Sequence, residues 1–334
     1  MSETSREIHL QSRPVGLPTA DNFALAIVPR PVAGDGEMLI QNRYMSVDPY
    51  MRGRMVDRKS YTPPFQLGEP LTGGCVGEVV VSNNGRFPVG TFVLGMNGWR
   101  DYYVSNGRGL NPIDPNIAPI QAFLGTLGMP GMTAYFGLLD IGKPQPGETV
   151  FVSAAAGAVG SVVGQLAKIK GCRVVGSAGS AAKVDYLVNE LGFDAAFNYK
   201  ESEHLTKTLA SLCPDGVDIY FENVGGDHLQ AALALMNNNG RIPVCGMISQ
   251  YNDTTPPPGP TNLSAIIGKR LLLKGFIVSD YMGQAMQFYS DMGPWVASGQ
   301  IKWQETIVEG LENAPEAFIG LFQGENMGKM LVKI

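Results

Sequence analysis

The hydrophobic and polar positions of residues 148–183 form the clearest pattern in the chain. The short apolar run Thr149–Val152 is typical of a parallel strand that is buried on both faces. After a turn of small residues, apolar side chains recur at helical spacing over residues 159–169, and Gly171 marks the end of that predicted helix. Residues 173–176 form a second short apolar run. The pattern therefore predicts a strand–turn–helix–strand unit.

The turn of this unit has the small residues that a bound dinucleotide requires. A dinucleotide-binding turn carries glycines in the spacing GxGxxG; here Ala155 takes the first position, and Gly157 and Gly160 take the other two. Alanine fits a tight turn if its position does not need a positive φ. Because a strand precedes the turn and a helix follows it, we expect the helix N-terminus to face a pyrophosphate. The alternative is an ordinary small-residue turn between a strand and a helix.

The end of the second predicted strand indicates which dinucleotide is bound. An NAD-specific site places a carboxylate there, on the ribose 2′-hydroxyl, but no acidic residue occurs between Gly176 and Asp185. Lys183 offers instead a cation that pairs with a 2′-phosphate. We therefore expect NADPH/NADP rather than NAD; the alternative places Lys183 on the solvated face of the next helix.

The pattern on either side of this unit divides the chain into two domains. Residues 1–125 contain short strand-like runs between Gly, Pro and Asn turns, which predicts a small, mostly β, barrel-like domain. Residues 126–299 alternate strands and helices, which predicts an α/β domain with a Rossmann-type doubly wound parallel sheet. Residues 300–334 end in a strand-like run that we expect to complete the first domain. The expected strands are 23–28, 38–45, 75–81, 91–94, 101–104, 195–199, 217–222, 241–245, 271–278 and 328–334, and the expected further helices are 123–142, interrupted near Pro130, and 282–298.

Ligands of doubly wound sheets bind outside the carboxyl ends of the strands. This rule nominates Tyr199 and the loops 223–226, 246–251 and 279–281. Asn223 directly follows a predicted strand, where its amide would bond a ribose or a nicotinamide edge. The alternative is an amide that serves only the turn before Gly225.

A segment of the first domain is a candidate for substrate binding. Asp48 is expected to cap a short helix that begins at Pro49. Aromatic and thioether side chains follow it: Tyr50, Met51, Met55 and Tyr61. They are candidates for the lining of an apolar cleft that also includes Met129; the alternative is ordinary core packing around a short helix.

Composition and charge exclude several classes of function. The 334 residues are 44% hydrophobic, which suffices for two cores, and the net charge is −5 without a basic footprint, so we expect no nucleic-acid partner. No apolar run approaches the roughly 20 residues that span a bilayer, and residues 1–19 are polar and mixed, without an apolar segment after a basic start. We therefore expect a cytoplasmic protein that does not bind membranes.

The cysteines and histidines argue against a metal site. The 4 cysteines lie far apart without a CxxC pair, as expected of buried thiols in a reducing compartment. None of the 3 histidines lies near a cysteine at a ligand-like spacing. Since a zinc site needs three or four such ligands, we expect chemistry without zinc.

Motifs spread over the whole chain carry a resemblance to a known family. They are residues 46–53 (SVDPYMRG), 127–131 (LGMPG), 154–160 (AAAGAVG), 222–226 (ENVGG), 245–246 (CG) with 251–252 (YN), and 325–329 (ENMGK). In this order they resemble the medium-chain dehydrogenase/reductase superfamily. The likeness is to its zinc-independent branch of leukotriene B4 dehydrogenase/prostaglandin reductases, bacterial curcumin reductases and plant alkenal double-bond reductases.

The resemblance implies a fold and a set of site residues. The fold is a Rossmann domain that binds NADPH, joined to a GroES-like, mostly β substrate domain. Gly157, Ala158, Val159 and Gly160 would hold the diphosphate, and Lys183 and Tyr199 the region of the 2′-phosphate. The rest of the cofactor site would consist of Asn223, Cys245, Gly246, Met247, Ile248, Ser249, Tyr251, Phe276, Ile277, Val278 and Asn326. Where the zinc-dependent relatives carry ligands, this chain has Gly68, Glu69 and Pro70.

The activity that the resemblance implies is reduction of the carbon–carbon double bond of an enal or enone. Hydride transfer to the β-carbon builds an enolate, whose oxygen needs a hydrogen-bond donor. Tyr251 is our candidate because a tyrosine, with a usual pKa of about 10, is a donor at neutral pH. Water or Tyr251 would deliver the α-proton. The alternative for Tyr251 is a ring that only packs on the cofactor.

Two other functions are compatible with these residues. One is an NADPH:quinone reductase of the same superfamily, and the other is a non-catalytic NADPH-binding partner protein. The apolar run 271–278 would lie at the edge of the sheet, and an exposed edge invites pairing. We therefore expect a homodimer, as in the relatives.

Overall fold

The computed structural model describes residues 3–334 and consists of two compact units. Unit 1 comprises the chain up to Gly125 together with Glu305–Ile334, and unit 2 comprises Thr126–Gln304. Each unit has its own sheet and its own cluster of buried apolar side chains.

The described residues contain the following strands and helices. The strands are β1 (Thr4–Leu10), β2 (Phe23–Pro29), β3 (Met38–Ser46), β4 (Cys75–Ser82), β5 (Phe92–Gly95), β6 (Tyr102–Ser105), β7 (Asn111–Ile113), β8 (Thr149–Val152), β9 (Arg173–Ala178), β10 (Ala195–Asn198), β11 (Val217–Phe221), β12 (Met236–Val244), β13 (Leu272–Gly275), β14 (Glu305–Glu309) and β15 (Lys329–Lys333). The α-helices are α1 (Met51–Arg54), α2 (Met129–Phe136), α3 (Gly160–Ile169), α4 (Ala181–Asp185), α5 (Leu205–Leu212), α6 (Gly226–Leu235), α7 (Ala265–Lys269), α8 (Ala285–Ala297) and α9 (Ala314–Gln323). Short 3₁₀ segments lie at Ala20–Asn22, Ile120–Leu124, Tyr199–Glu201, Ile248–Gln250, Val278–Gln284 and Leu311–Asn313, and π segments at Gly137–Gly142 and Tyr186–Glu190.

Unit 2 is built on a parallel sheet of 6 strands in the order β10-β9-β8-β11-β12-β13. Numbered within the unit, this order is 3-2-1-4-5-6, which is that of the doubly wound dinucleotide-binding fold. All residues of β8 are buried, which explains why that strand is a continuous apolar run. The chain reverses direction across the sheet between β8 and β11, and ligands of this fold bind at that switch point. The predicted fold class is confirmed.

Unit 1 is mostly β, and the end of the chain completes its sheet. Its 7 strands include the path β14-β15-β3-β4-β5-β7, with β6 paired to β3, while β1 and β2 form a separate antiparallel hairpin. The last strand, β15, pairs with β3 from Leu331↔Ser46 to Lys333↔Tyr44. The predicted return of the terminal strand to the first domain is therefore observed, and β14, which the pattern did not predict, extends that edge.

Several predicted boundaries differ from those of the structure. The helix expected over 123–142 begins only at Met129, because Pro130 lacks an N–H and fits the first turn of a helix rather than its interior. The strand expected over 271–278 ends at Gly275, and a 3₁₀ segment precedes α8, which starts at Ala285 rather than at 282. The strand expected over 241–245 begins earlier, at Met236.

The predicted capping role of Asp48 is also wrong. Helix α1 starts after Tyr50 without a side-chain cap, and Asp48 is buried in an ion pair with Lys329 of β15. The Lys329 ammonium donates to Asp48 Oδ1 at 3.1 Å and to the Val47 carbonyl at 2.9 Å, and Ser46 Oγ donates to Asp48 Oδ2 at 2.5 Å. The side chains of Asp48 and Lys329 are only 8% and 5% exposed. This pair connects the end of β3 to the C-terminal strand.

Loss of the Lys329 ammonium is expected to destabilise unit 1. Lys329→Met leaves the Asp48 carboxylate buried without its cation, which costs about 3 kcal/mol and lowers the thermal unfolding midpoint of the protein. Lys333→Met on the same strand removes an ammonium that pairs with Glu309 in solvent, so it should change the midpoint little. The double variant Asp48→Asn, Lys329→Met should recover part of the loss. Equal midpoints for the two lysine variants would contradict this reading of the ion pair.

Candidate active site

The turn between β8 and α3 is closely packed, and its glycines allow that packing. A Cβ on Gly160 would lie 2.5 Å from the Ala154 carbonyl oxygen and 2.8 Å from Ala155 Cα. Ala154 has a positive φ of 48°, whereas Ala155, at the first position of the glycine pattern, does not. Ala155 is buried, and its N–H donates to the Ser177 carbonyl of β9. Alanine at the first position is therefore compatible with this turn.

The start of α3 presents unsatisfied N–H groups. Within residues 3–334, the N–H groups of Ala158, Val159 and Gly160 donate to no backbone carbonyl, and no side chain caps this helix of 10 residues. Exposed N–H groups at a helix N-terminus bind phosphate groups, and the helix dipole favours negative charge there. The turn fits a diphosphate.

Two lysines and a tyrosine meet where β9 and β10 end. A Cβ on Gly179 would lie 3.2 Å from Lys200 Cε and 3.4 Å from the Tyr199 hydroxyl oxygen. Burial lowers the pKa of Lys183, and the positive charge of Lys200 lowers it further. Two neighbouring ammonium groups are suited to a doubly charged anion such as a ribose 2′-phosphate.

A histidine that the sequence pattern did not nominate lies against Tyr199. The His228 ring, on α6, is edge-on to the Tyr199 ring with centroids 5.1 Å apart. His228 is buried, and its Nε2 has no hydrogen-bond partner among the described residues. Burial lowers the pKa of His228 to about 4. The imidazole is therefore neutral at physiological pH and supports Tyr199 as an apolar ring.

The loops that follow β11 and β12 are bonded to each other. The N–H of Ile248 donates to the Asn223 carbonyl at 3.1 Å, and that of Ser249 to the Val224 carbonyl at 3.1 Å. The Asn223 side chain donates its amide to the Ser153 carbonyl at 2.8 Å. Asn223 thus joins the ends of β8 and β11, as an amide that serves the local backbone would.

Tyr251 lies at the end of the second of these loops. Its hydroxyl oxygen accepts the N–H of Met247 at 3.3 Å, and a Cβ on Gly246 would lie 2.9 Å from the same oxygen. The loop therefore brings the Tyr251 phenol against the backbone of residues 246–247. An oxygen that accepts an N–H is held in place and becomes a stronger O–H donor.

Buried ionisable groups surround the base of these loops. Burial raises the pKa of Glu222, while hydrogen bonds from Gly225, Tyr220, Val224 and Ser153 oppose that rise. Burial and the nearby Glu222 raise the pKa of the Cys245 thiol to about 12. Cys245 is therefore a neutral thiol at physiological pH and not a nucleophile.

The remaining predicted cofactor residues follow β13 or belong to unit 1. Phe276 follows β13, and its ring lies 6.4 Å from the ring of Phe221, packed over Gly137, with Ile277 and Val278 next in the chain. Asn326 belongs to unit 1, where its side-chain amide donates to the Gly328 carbonyl at 2.7 Å.

The predicted substrate residues fall in different units. In unit 1, the half-buried Tyr50 interacts with Arg54 and Tyr61, and burial together with the charge of Asp48 raises the pKa of its phenol. The Arg54 guanidinium lies 3.9 Å over the ring of Phe65 and donates to Thr72. Tyr50 and Tyr61 are therefore neighbours, and both interact with Arg54. Met129 is the first residue of α2 in unit 2 and is 38% exposed.

The described residues offer no arrangement of ligands for a metal ion: no 3 His, Cys, Asp or Glu side chains are grouped to hold one. In the same part of the chain, no helix has the length and apolar character needed to cross a membrane.

Comparisons with known proteins agree with this architecture. The model of an N-terminal domain of oxidoreductases matches residues 6–113, and that of the zinc-binding dehydrogenases matches residues 158–296. The chain is 46% identical to the NADPH-dependent curcumin reductase of Escherichia coli over 99% of its own length and 97% of the relative's. It is 47% identical to the NADP(+)-dependent 2-alkenal reductase of Nicotiana tabacum, over 90% of the chain and 88% of the relative. The structure of CurA in complex with NADPH from Vibrio vulnificus superposes with a TM-score of 0.93 at 49% identity, covering 98% of both chains.

The chain belongs to the medium-chain dehydrogenase/reductase family, in the branch of the curcumin and alkenal reductases. The family predicted from the motifs is thereby confirmed.

For this member of the family, the structure adds residues that the sequence pattern missed. Lys200 directly follows the nominated Tyr199, so a second cation at the end of a strand was a usable signal. His228, Glu222 and Arg54 act through contacts with residues that are distant in the chain or through burial, and periodicity carries neither kind of information.

The buried His228 is expected to make the stability of this family member depend on acid. Its folded pKa of about 4 lies below the unfolded value near 6.5, so the unfolded chain binds the extra proton and stability falls as pH drops from about 6.5 toward 4. Between pH 7.5 and pH 5 the loss from this residue is about 2 kcal/mol.

His228→Phe removes the titrating ring and keeps an aromatic contact with Tyr199. The thermal unfolding midpoint of the variant should therefore decline less between pH 7.5 and pH 5 than that of the original protein. His204→Phe makes the same change at an exposed histidine and should leave the pH dependence as it was. Parallel pH profiles for all three proteins would contradict the assignment of acid sensitivity to His228.

Proposed function

We propose that this protein is an NADPH-dependent reductase of the carbon–carbon double bond of α,β-unsaturated aldehydes and ketones. The observation that carries the proposal is the whole-length match, 49% identical with a TM-score of 0.93, to a structure that holds NADPH. The relatives named as a curcumin reductase and a 2-alkenal reductase support the substrate class. The unpaired N–H groups at the start of α3 and the lysines near Tyr199 support the cofactor.

The chain's own residues divide the binding of NADPH among three regions. Residues 157–160 would hold the diphosphate through the N–H groups of Ala158, Val159 and Gly160, and Lys183, with Lys200 and Tyr199, would hold the 2′-phosphate. The two bonded loops, 223–226 and 245–251, would face the nicotinamide half. When bound, the reduced nicotinamide supplies the hydride that the β-carbon of the substrate receives.

The role of Tyr251 is to stabilise the charge that this transfer creates. As the β-carbon gains a hydride, negative charge moves to the carbonyl oxygen of the substrate and forms an enolate. The Tyr251 hydroxyl, held by the Met247 N–H, would donate to that oxygen. Protonation of the α-carbon by water or by Tyr251 then completes the addition of two hydrogens across the double bond.

Each unit has a separate task in this proposal. Residues 126–299 would bind the cofactor, and residues 1–125, completed by 300–334, would bind the substrate. On the substrate side, Tyr50 and Tyr61 offer aromatic surface, and the guanidinium of Arg54 between them offers a donor for a carbonyl oxygen. Met129 adds a partly exposed apolar side chain.

We also propose that the protein is a homodimer that pairs through the edge of the six-stranded sheet. Strand β13 is the last strand of that sheet. Leu272 of this strand is 48% exposed, and Leu263 and Ile267, from the segment before it, are 47% and 82% exposed. An apolar edge strand of this kind is a template for pairing with a second copy.

A cytoplasmic location is the final element of the proposal. Cys75, Cys172, Cys213 and Cys245 are all free thiols, which suits a reducing compartment. On cell fractionation the protein should separate with soluble cytosolic markers.

Turnover of an enone tests the proposed activity. The purified protein should oxidise NADPH in the presence of 3-nonen-2-one and yield the saturated ketone, with NADH a poorer donor. Tyr251→Phe should lower turnover by about 100-fold because one donor to the enolate oxygen is lost. Tyr289→Phe, on α8, should be as active as the original protein.

Other outcomes of that assay would point to other functions. Turnover of benzoquinone with no turnover of enones would identify a quinone reductase. Tight binding of NADPH without oxidation by either acceptor would identify a non-catalytic binding protein. Undiminished turnover by Tyr251→Phe would remove that residue from the chemistry.

The mass in solution tests the dimer. Light scattering should report twice the 35.8 kDa of one chain. Leu272→Lys places a charge on the apolar edge and should shift the protein toward the monomer, whereas Val15→Lys, at a side chain of unit 1 that is 88% exposed, should not. A single-chain mass for the original protein would contradict the proposal.

A further inference from the structure

The carboxylate of Glu222 lies where three strand ends meet. Glu222 follows β11, is fully buried, and its Oε1 accepts the N–H groups of Val224 at 2.7 Å and Gly225 at 2.8 Å. The Tyr220 hydroxyl donates to the same oxygen at 2.7 Å, and Ser153, directly after β8, contacts it at 3.3 Å. One side chain thus joins the ends of β8 and β11.

The backbone of Glu222 extends this connection to β12. Its carbonyl oxygen accepts the N–H groups of Cys245 at 2.9 Å and Gly246 at 3.1 Å, and its own N–H donates to the Pro243 carbonyl at 3.0 Å. The first residues of the second loop, 245–251, are therefore hydrogen-bonded to Glu222 as well.

The backbone geometry of the first loop, residues 223–226, requires a hydrogen-bond acceptor where the Glu222 carboxylate lies. Gly225 has a φ of 78°, and a Cβ on it would lie 3.0 Å from Met247 Cβ of the second loop. In this conformation the successive N–H groups of Val224 and Gly225 converge on one point, as in the backbone nests that bind anions. The Glu222 carboxylate fills this nest, so the loop is satisfied from within the chain.

The second loop depends on the first. Its residues Ile248 and Ser249 donate their N–H groups to the carbonyls of Asn223 and Val224, and Ser249 Oγ donates to Val224 as well. The N–H of Met247 in turn holds the Tyr251 hydroxyl. Hydrogen bonds and the short backbone segments between them therefore connect the Glu222 carboxylate to the phenol oxygen of Tyr251.

We infer that Glu222 is a positioning residue that holds both loops for the nicotinamide half of the cofactor and orients Tyr251. The inference rests on the proposed function, since it concerns how that cofactor site is held. It assigns to Glu222 no contact with cofactor or substrate. Because the nicotinamide half is common to NADPH and NADH, the residue should support both cofactors equally.

Binding of both cofactors and amide exchange test this role. Glu222→Ala should weaken NADPH and NADH alike by at least about 10-fold in fluorescence titrations, since an unfilled nest leaves buried N–H groups unpaired. Hydrogen exchange should become faster at residues 223–226 and 245–250 and should not change at β9. Glu222→Gln keeps an acceptor oxygen at the nest and should bind both cofactors within about 3-fold of the original protein.

Asp218 provides a matched control on the same strand. Its carboxylate accepts the Thr149 N–H at 2.8 Å and the Asn237 amide at 2.8 Å, at the opposite end of β11. Asp218→Ala should lower the unfolding midpoint without weakening either cofactor. Lys183→Ala should weaken NADPH and leave NADH unchanged, which shows that the assay separates the two ends of the cofactor.

The outcomes separate failure of the inference from failure of the proposed function. Original affinity in Glu222→Ala, or equal losses in Glu222→Ala and Asp218→Ala, would overturn the positioning role. If Glu222→Ala does not fold, Glu222→Asp tests the same role. Its shorter side chain withdraws the carboxylate from the nest and should weaken the binding of both cofactors. Original affinity in this variant would overturn the positioning role. If the original protein binds neither NADPH nor NADH, the proposed function fails. Even then, unchanged hydrogen exchange at residues 223–226 in the folded variants would overturn the inference that Glu222 holds this loop.

Discussion

The parallel direction of the six strands in unit 2 is the constraint on which the candidate site depends. Because all carboxyl ends lie at one edge of the sheet, the backbone groups there need partners that the sheet does not supply. The chain supplies them in two ways. At β11 and β12 the loop N–H groups are accepted by the Glu222 carboxylate and by carbonyls of the facing loop, whereas at the start of α3 the N–H groups are left for a ligand.

This difference gives the site its electrostatic asymmetry. The turn before α3 and the lysine pair at the ends of β9 and β10 attract negative charge. The base of the two loops already holds a buried carboxylate, and its nest of N–H groups is occupied. Phosphate groups are thus drawn to one side of the switch point, and the other side is left for an uncharged ring. A dinucleotide with three phosphates and a reduced nicotinamide has the same distribution of charge.

Unit 1 uses buried charge for a structural purpose. Asp48 and Lys329 bring together segments that are far apart in the chain, and they do so beside Tyr50. Predicting Asp48 as a helix cap was reasonable from its neighbours, since an acidic residue before a proline often starts a helix. The competing partner was Lys329, which only the pairing of β15 with β3 brings close.

The sequence by itself determined the fold class and the family, because strand and helix periodicity, the glycine turn and the ordered motifs are local features that need no partner to be read. It also indicated Lys183, since the missing carboxylate after the second strand is a local signal. Only the tertiary structure decided what surrounds those elements. Glu222 and His228 matter through burial and through neighbours from other elements, and Lys200 through its proximity to Lys183. Periodicity describes which face of an element is buried, whereas contacts between distant segments depend on how the elements are assembled.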